Sequence, residues 1–88
     1  MKIEFLKQFS KDLAKITDEN LKKTIIAVLT DFQNAANISE IPNIKKMKGH
    51  PEAYRVRVGK YRLGFYFDDE TIEFARCIKR EDIYKLFP

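Results

Sequence analysis

Five arginines, Arg55, Arg57, Arg62, Arg76 and Arg80, are the only guanidinium groups in this 88-residue chain, and all fall in its second half. Guanidinium is planar, permanently charged and forks onto phosphate oxygens, so this segregation points to a polyanionic ligand. Their spacing sharpens the point. Tyr54, Val56 and Val58 alternate with Arg55 and Arg57; after Gly59-Lys60, Tyr61, Leu63, Phe65 and Phe67 alternate with Arg62, Gly64 and Tyr66. Period-two alternation on both sides of a two-residue break predicts a β-hairpin, with Val58 opposite Tyr61, Arg57 opposite Arg62 and Arg55 opposite Gly64. Three arginines then share one face. Like charges directly opposite on neighbouring strands cost a few tenths to ~1 kcal/mol. A phosphate or an acidic partner between Arg57 and Arg62 would remove that cost; the plainer alternative is that both side chains splay into water.

The elements that hold this hairpin follow from the remaining periodicity. Lys2 to Phe5 alternates and predicts a short strand. Leu6, Phe9, Leu13 and Ile16 recur at helical spacing, with Lys7, Lys11 and Lys15 on the solvated side. Thr17 or Asp18 can cap a second helix, whose stripe of Leu21, Ile25, Val28, Leu29 and Phe32 carries it to about Ala36. Asn37 to His50 has no sustained period and reads as a connecting segment, held down by Ile38, Ile41 and Ile44, with Lys45, Lys46 and Lys48 clustered before Gly49. After an acidic turn at Asp68-Asp69-Glu70 comes a third strand of the meander, Thr71 to Ile78, and Lys79 to Phe87 form a short helix or tail. The order strand, helix, helix and three strands predicts one α+β domain over residues 1–88, a two-layer fold with a mostly antiparallel sheet and a helical hairpin on one face. Val56, Val58, Leu63 and Phe65 should meet the helices, which leaves the arginine face open. The last strand admits two registers. The preferred one puts Arg76 and Arg80 on the open face and makes Phe74 a partly exposed stacking platform; the other buries Phe74 and requires Arg76 to snorkel.

Composition narrows the class. A net charge of +4, 44% hydrophobic residues and only three Gly and three Pro exclude a disordered tail. From Met1 to Ile44 six Lys balance six acids, so the whole excess of positive charge sits in the second half. With one Cys (Cys77) and one His (His50), neither an internal disulfide nor a zinc or iron–sulfur set can be assembled, so no metal or other cofactor is expected. Cys77 reads as a small buried apolar residue. No membrane span or signal core is visible, and a cytoplasmic location is expected.

The run from Lys46 to Phe87 resembles the C-terminal half of the RelE/ParE family of bacterial toxins from type II toxin–antitoxin modules. The resemblance rests on Lys48-Gly49, the Tyr54–Phe65 stretch YRVRVGKYRLGF, the acidic turn, Arg76, Lys79-Arg80 and Tyr84. The strand-helix-helix opening agrees with the same fold. The resemblance implies a metal-independent endoribonuclease that enters the ribosomal A site and cuts translated mRNA, the ribose 2′-OH attacking the adjacent phosphate to leave a cyclic phosphate and a free 5′-OH. It implies catalytic roles for Arg57, Arg62, Arg80 and Tyr84, and RNA contacts from Lys48, Arg55, Arg76 and Lys79. Arg62 would brace the phosphate, Arg80 would stabilise the pentacoordinate oxyanion or assist the leaving group, and Tyr84 would stack on or orient a base. Arg55 and Arg57 stand where RelE-type members carry two lysines, one of them proposed as general base. Arginine is a poor base near neutrality, which leaves Tyr84, Lys79, His50 or Glu52 for that task. The expected partners are an acidic, partly disordered cognate antitoxin, in a toxin–antitoxin hetero-oligomer, and mRNA on the ribosome. Two other readings remain open: a ParE-like toxin that acts on DNA gyrase and cleaves nothing, and an inactive relic kept for antitoxin binding.

Overall fold

The computed structural model describes residues 1–88. Its elements are β1 (Lys2–Phe5), α1 (Lys7–Ala14), α2 (Glu19–Asn34), β2 (Ile44–Lys46), β3 (Ala53–Val58), β4 (Tyr61–Asp68), β5 (Thr71–Lys79) and α3 (Ile83–Leu86), with 3₁₀ turns at Ile38–Glu40 and Arg80–Asp82. Asp18 is the N-cap of α2, its carboxylate accepting a hydrogen bond from the Leu21 N–H at 3.1 Å. The strands form one sheet in the order β1-β5-β4-β3-β2, parallel between β1 and β5 and antiparallel elsewhere. The domain is α+β, as expected.

The β3–β4 hairpin has the anticipated register: Val58 faces Tyr61, Arg57 faces Arg62 and Arg55 faces Gly64. Gly59 takes φ +59°, a left-handed value that glycine supplies at no steric cost, and Lys60 completes the turn. Val56, Val58, Leu63 and Phe65 are buried beneath the helices with Phe9, Ile25 and Phe32. Phe74 stands at the centre of that core. Its ring lies 5.4 Å from Phe9, 5.1 Å from Phe32 and 5.6 Å from Phe65, so one strand residue joins both helices to the sheet.

Three features depart from the sequence reading. First, the segment taken as a connection contains β2, which pairs with β3 and places Lys45 opposite Arg55. Three residues are too few to show a period, and pairing with a neighbour alone makes them a strand. Second, a β-bulge falls opposite Gly64 and Phe65: Phe65 pairs with Phe74 and Gly64 with Arg76, which leaves Ala75 as the extra residue. The bulge shifts the phase of β5, so Phe74 and Cys77 are both in the core, and Phe74 is fully buried rather than an exposed platform. Third, the face opposite the helices is only half open. Met47, Ala53, Ala75, Ile83 and Phe87 form a second apolar cluster there, flanked by Tyr66 and Ile78. The chain after β5 folds back and lays Phe87 over Gly64, where a side-chain carbon would come within 2.7 Å of the ring.

Candidate phosphate-binding site

The half of that face left uncovered is basic. β3 contributes Arg55 and Arg57, β4 contributes Arg62, and β2 contributes Lys45; with Asn43 these five polar side chains line one cavity containing no apolar residue. A second cavity shares Arg55 and Arg62 and adds Arg80, Glu81, Ile83 and Tyr84 from the returning C-terminal segment. Two neighbouring pockets thus have a common wall of two arginines.

Local bonds fix most of these groups. Arg62 Nη1 donates to the carbonyl oxygens of Tyr61 (2.9 Å) and Gly59 (3.1 Å), which folds its guanidinium back over the hairpin turn. Arg57 Nη2 donates to Asn43 Oδ1 at 3.1 Å, and the Arg57 backbone N–H donates to the Asn43 carbonyl at 3.2 Å. Asn43 itself has φ +68°, a left-handed conformation that asparagine tolerates better than most residues. Arg55 Cζ sits 5.1 Å from the centroid of the Tyr84 ring, a cation–π contact joining β3 to α3. The Arg80 N–H donates to the Lys60 carbonyl at 2.9 Å and ties the C-terminal segment to the hairpin.

What these arginines lack is an ion-paired carboxylate. The ion pairs within 4.0 Å are Lys2–Glu4 and Arg76–Asp12, so none of Arg55, Arg57, Arg62 and Arg80 has an acidic partner. Partial burial, and then the positive charges of Arg80, Arg57 and Arg55, hold the Arg62 guanidinium below the usual arginine range. The site therefore stores like-charge repulsion that an anion would relieve.

Not every anticipated residue is here. The structure brings Arg55, Arg57, Arg62, Arg80 and Tyr84 together. Arg76 is a correction. Its Nε donates to Asp12 Oδ2 at 2.8 Å and its Nη2 to Asp12 Oδ1 at 3.3 Å, so it braces α1 against β5 and does not join the cleft. Asp12, only 5% exposed, also accepts the Cys77 N–H at 3.0 Å, filling the place of a strand partner just beyond the end of β1. Lys79 faces Tyr61 across β4 and β5, and Tyr61 packs on the helix-side core, so Lys79 lies on the opposite face from the arginines. Lys48 is exposed in the turn before Gly49 and lines neither cavity. Among the candidate bases, Glu52 lines an acidic recess with Asp68, Asp69 and Glu73, at the other end of the strands from the Arg57–Arg62 pair. Asn43, Lys45 and Glu81 were not anticipated. Lys45 alone left a trace, as part of a basic cluster without an assigned element.

The family model for the ParE toxin of type II toxin–antitoxin systems matches residues 3–84. The chain belongs to the RelE/ParE family of type II toxins. The toxin is 38% identical over 89 residues to Toxin RelE3 of Methanocaldococcus jannaschii, covering 100% of both chains. It is 35% identical to Putative toxin RelE1 of the same organism, over 94% of this chain and 93% of that one. In structure it is similar to the RelB–RelE antitoxin–toxin complex from Methanococcus jannaschii, with a TM-score of 0.81 and 36% identity over 97% of this chain and 99% of the other. The fold is shared with the YoeB dimer from Staphylococcus aureus, at a TM-score of 0.73 and 24% identity over 91% and 97% of the two chains.

Proposed function

We propose that this toxin is a metal-independent endoribonuclease that cuts translated mRNA at the ribosomal A site. The observation that carries this reading is the gathering of four guanidinium groups, from three separate elements, none of them ion-paired with a carboxylate within 4.0 Å. In the proposed step the 2′-oxygen bonds to the adjacent phosphorus and the bond from phosphorus to the 5′-oxygen breaks. A base takes the 2′-OH proton, a proton is delivered to the departing 5′-oxygen, and the products carry a 2′,3′-cyclic phosphate and a 5′-OH. Negative charge on the non-bridging oxygens grows in the transition state, where fixed cations are most effective. Arg62 and Arg80 neutralise it, Arg55 and Tyr84 hold the base and ribose beside it, and Arg57 lends its charge to the backbone.

Arg57 does not serve as the base, since its neutral form is vanishingly rare near pH 7. Of the four alternatives offered by the sequence, Tyr84 stands at the cleft, and Glu81 on the same wall is the one carboxylate lining either pocket. Proton abstraction is assigned to this pair.

The solved relatives from Methanococcus jannaschii and Pyrococcus horikoshii are complexes of RelE with RelB. For this toxin the corresponding partner is a cognate antitoxin whose acidic segment occupies the cleft and blocks RNA entry. The cytoplasm, where translation and the antitoxin coincide, is its place of action.

The test is induced expression of the wild type, Arg62→Ala and Arg80→Ala in a bacterial host, with growth recorded and cellular RNA ends mapped. Growth arrest with new 5′-OH ends inside coding regions, abolished by both substitutions, is the expected result. Arrest with intact RNA and accumulating gyrase-dependent DNA breaks would replace this reading with that of a gyrase toxin.

A further inference from the structure

The nuclease reading accounts for one phosphate, but the cleft holds more positive charge than one phosphodiester can neutralise. Arg55, Arg57, Arg62 and Lys45 line the first pocket, and Arg80 joins Arg55 and Arg62 in the second. The two pockets also differ in kind. The second contains an aromatic ring, an aliphatic side chain and a carboxylate, as befits a base, a ribose and the scissile phosphate. The first is wholly polar and offers nothing for a base to stack on.

Its construction is specific. Lys45 is held directly opposite Arg55 by the β2–β3 register, so both side chains rise from the same face on adjacent strands. Asn43 starts that edge in a left-handed conformation and grips Arg57 through both its side chain and its carbonyl. Arg57 is thereby turned toward Asn43 at the start of the β2 edge, while Arg62 is folded toward the hairpin turn. Successive strands stand about 4.8 Å apart. Lys45 on β2 is therefore two strand spacings from Arg62 on β4, a span wider than a single phosphate.

We infer that the pocket of Asn43, Lys45, Arg55 and Arg57 is a second phosphate subsite, which takes the backbone phosphate one nucleotide away from the scissile one and uses Lys45 as its principal cation. The inference rests on the ribonuclease reading. In it, Asn43 is a positioning residue, acting through the orientation of Arg57. The subsite sets the register of the RNA strand, so that only one phosphodiester reaches Arg62, Arg80 and Tyr84.

The experiment measures single-turnover cleavage of ribosome-bound mRNA by the wild type and by Lys45→Met. Three substrates are used: the all-phosphate message, and messages with one neutral methylphosphonate in place of the phosphate immediately 5′ or immediately 3′ of the cleavage site. On the all-phosphate message Lys45→Met should lose about tenfold in kcat/KM, the size of one charged hydrogen bond, chiefly through KM. On one of the two methylphosphonate messages the wild type should fall by a similar factor, and the variant should fall no further below it. Equal losses from Lys45→Met on all three messages, or no loss on any, would overturn the subsite while leaving the nuclease intact. Failure of the wild type to cut the unmodified message would remove both readings together.

Discussion

At the scale of single residues, two arginines of the same strand-and-turn motif have opposite duties, and carboxylate placement decides which. Arg62 has none within 4.0 Å and keeps its charge for a ligand; Arg76 has Asp12 at 2.8 Å and is structural. Burial alone would push the Asp12 carboxyl up, but the hydrogen bond from Arg76, those from the Cys77 N–H and the Gln8 amide, and the Arg76 charge outweigh it and hold the group below its ordinary 3.8. A carboxyl whose pKa is lower in the folded than in the unfolded state adds stability above the unfolded value and loses it as pH falls through the folded one. The toxin should therefore lose this contribution progressively below about pH 4, a loss that Asp12→Asn should not share; urea midpoints at pH 7, 4 and 2.5 would show it. Asp12→Ala should cost about 3 kcal/mol at neutral pH, because it leaves a half-buried guanidinium and a buried N–H without their acceptor. Arg62→Ala, by contrast, should leave the urea midpoint unchanged or raise it slightly, since it removes repulsion, while abolishing toxicity.

At the scale of elements, the hairpin and both long helices were legible in the sequence because each repeats its period several times and is bounded by a turn or cap. Val58, Gly59, Lys60 and Tyr61 alone set the register that brings Arg57 and Arg62 together. What was not legible depends on pairings between distant parts of the chain. β2 is three residues long and becomes a strand only against β3. The bulge at Ala75 depends on how β5 meets Gly64, and its one-residue change of phase lets Cys77 join Phe74 in the core. The returning C-terminal segment left a cue at Gly64, the one small residue among larger ones in β4, whose purpose appears only once Phe87 is seen to lie on it. Gly64→Ala should accordingly push Phe87 away, lower stability by about 1–3 kcal/mol, and displace Tyr84 and Arg80 with it. A fall in RNA cleavage larger than the fall in folded fraction, measured by circular dichroism on the same samples, would confirm that this segment sets the site.

At the scale of the whole molecule, the sheet is electrically polarised along its strands. The arginines cluster toward the Gly59-Lys60 turn, while Glu52, Asp68, Asp69 and Glu73 gather at the opposite end. Such a distribution orients an approaching polyanion before contact and makes its capture sensitive to salt. Affinity for single-stranded RNA should fall with log salt at a slope of about −0.7 for each phosphate engaged, and Lys45→Met should make that slope shallower by one such step. The proposed function requires that the unpaired guanidinium cluster act on an RNA phosphodiester. The most direct measurement is the rate at which ribosome-bound mRNA yields a 2′,3′-cyclic phosphate end with purified wild-type toxin and with Arg62→Ala. The cluster's proposed role predicts steady product formation by the wild type and a loss of about 10²–10³ on removing that one cation. Intact mRNA with the wild type, or an equal rate with the variant, would contradict it.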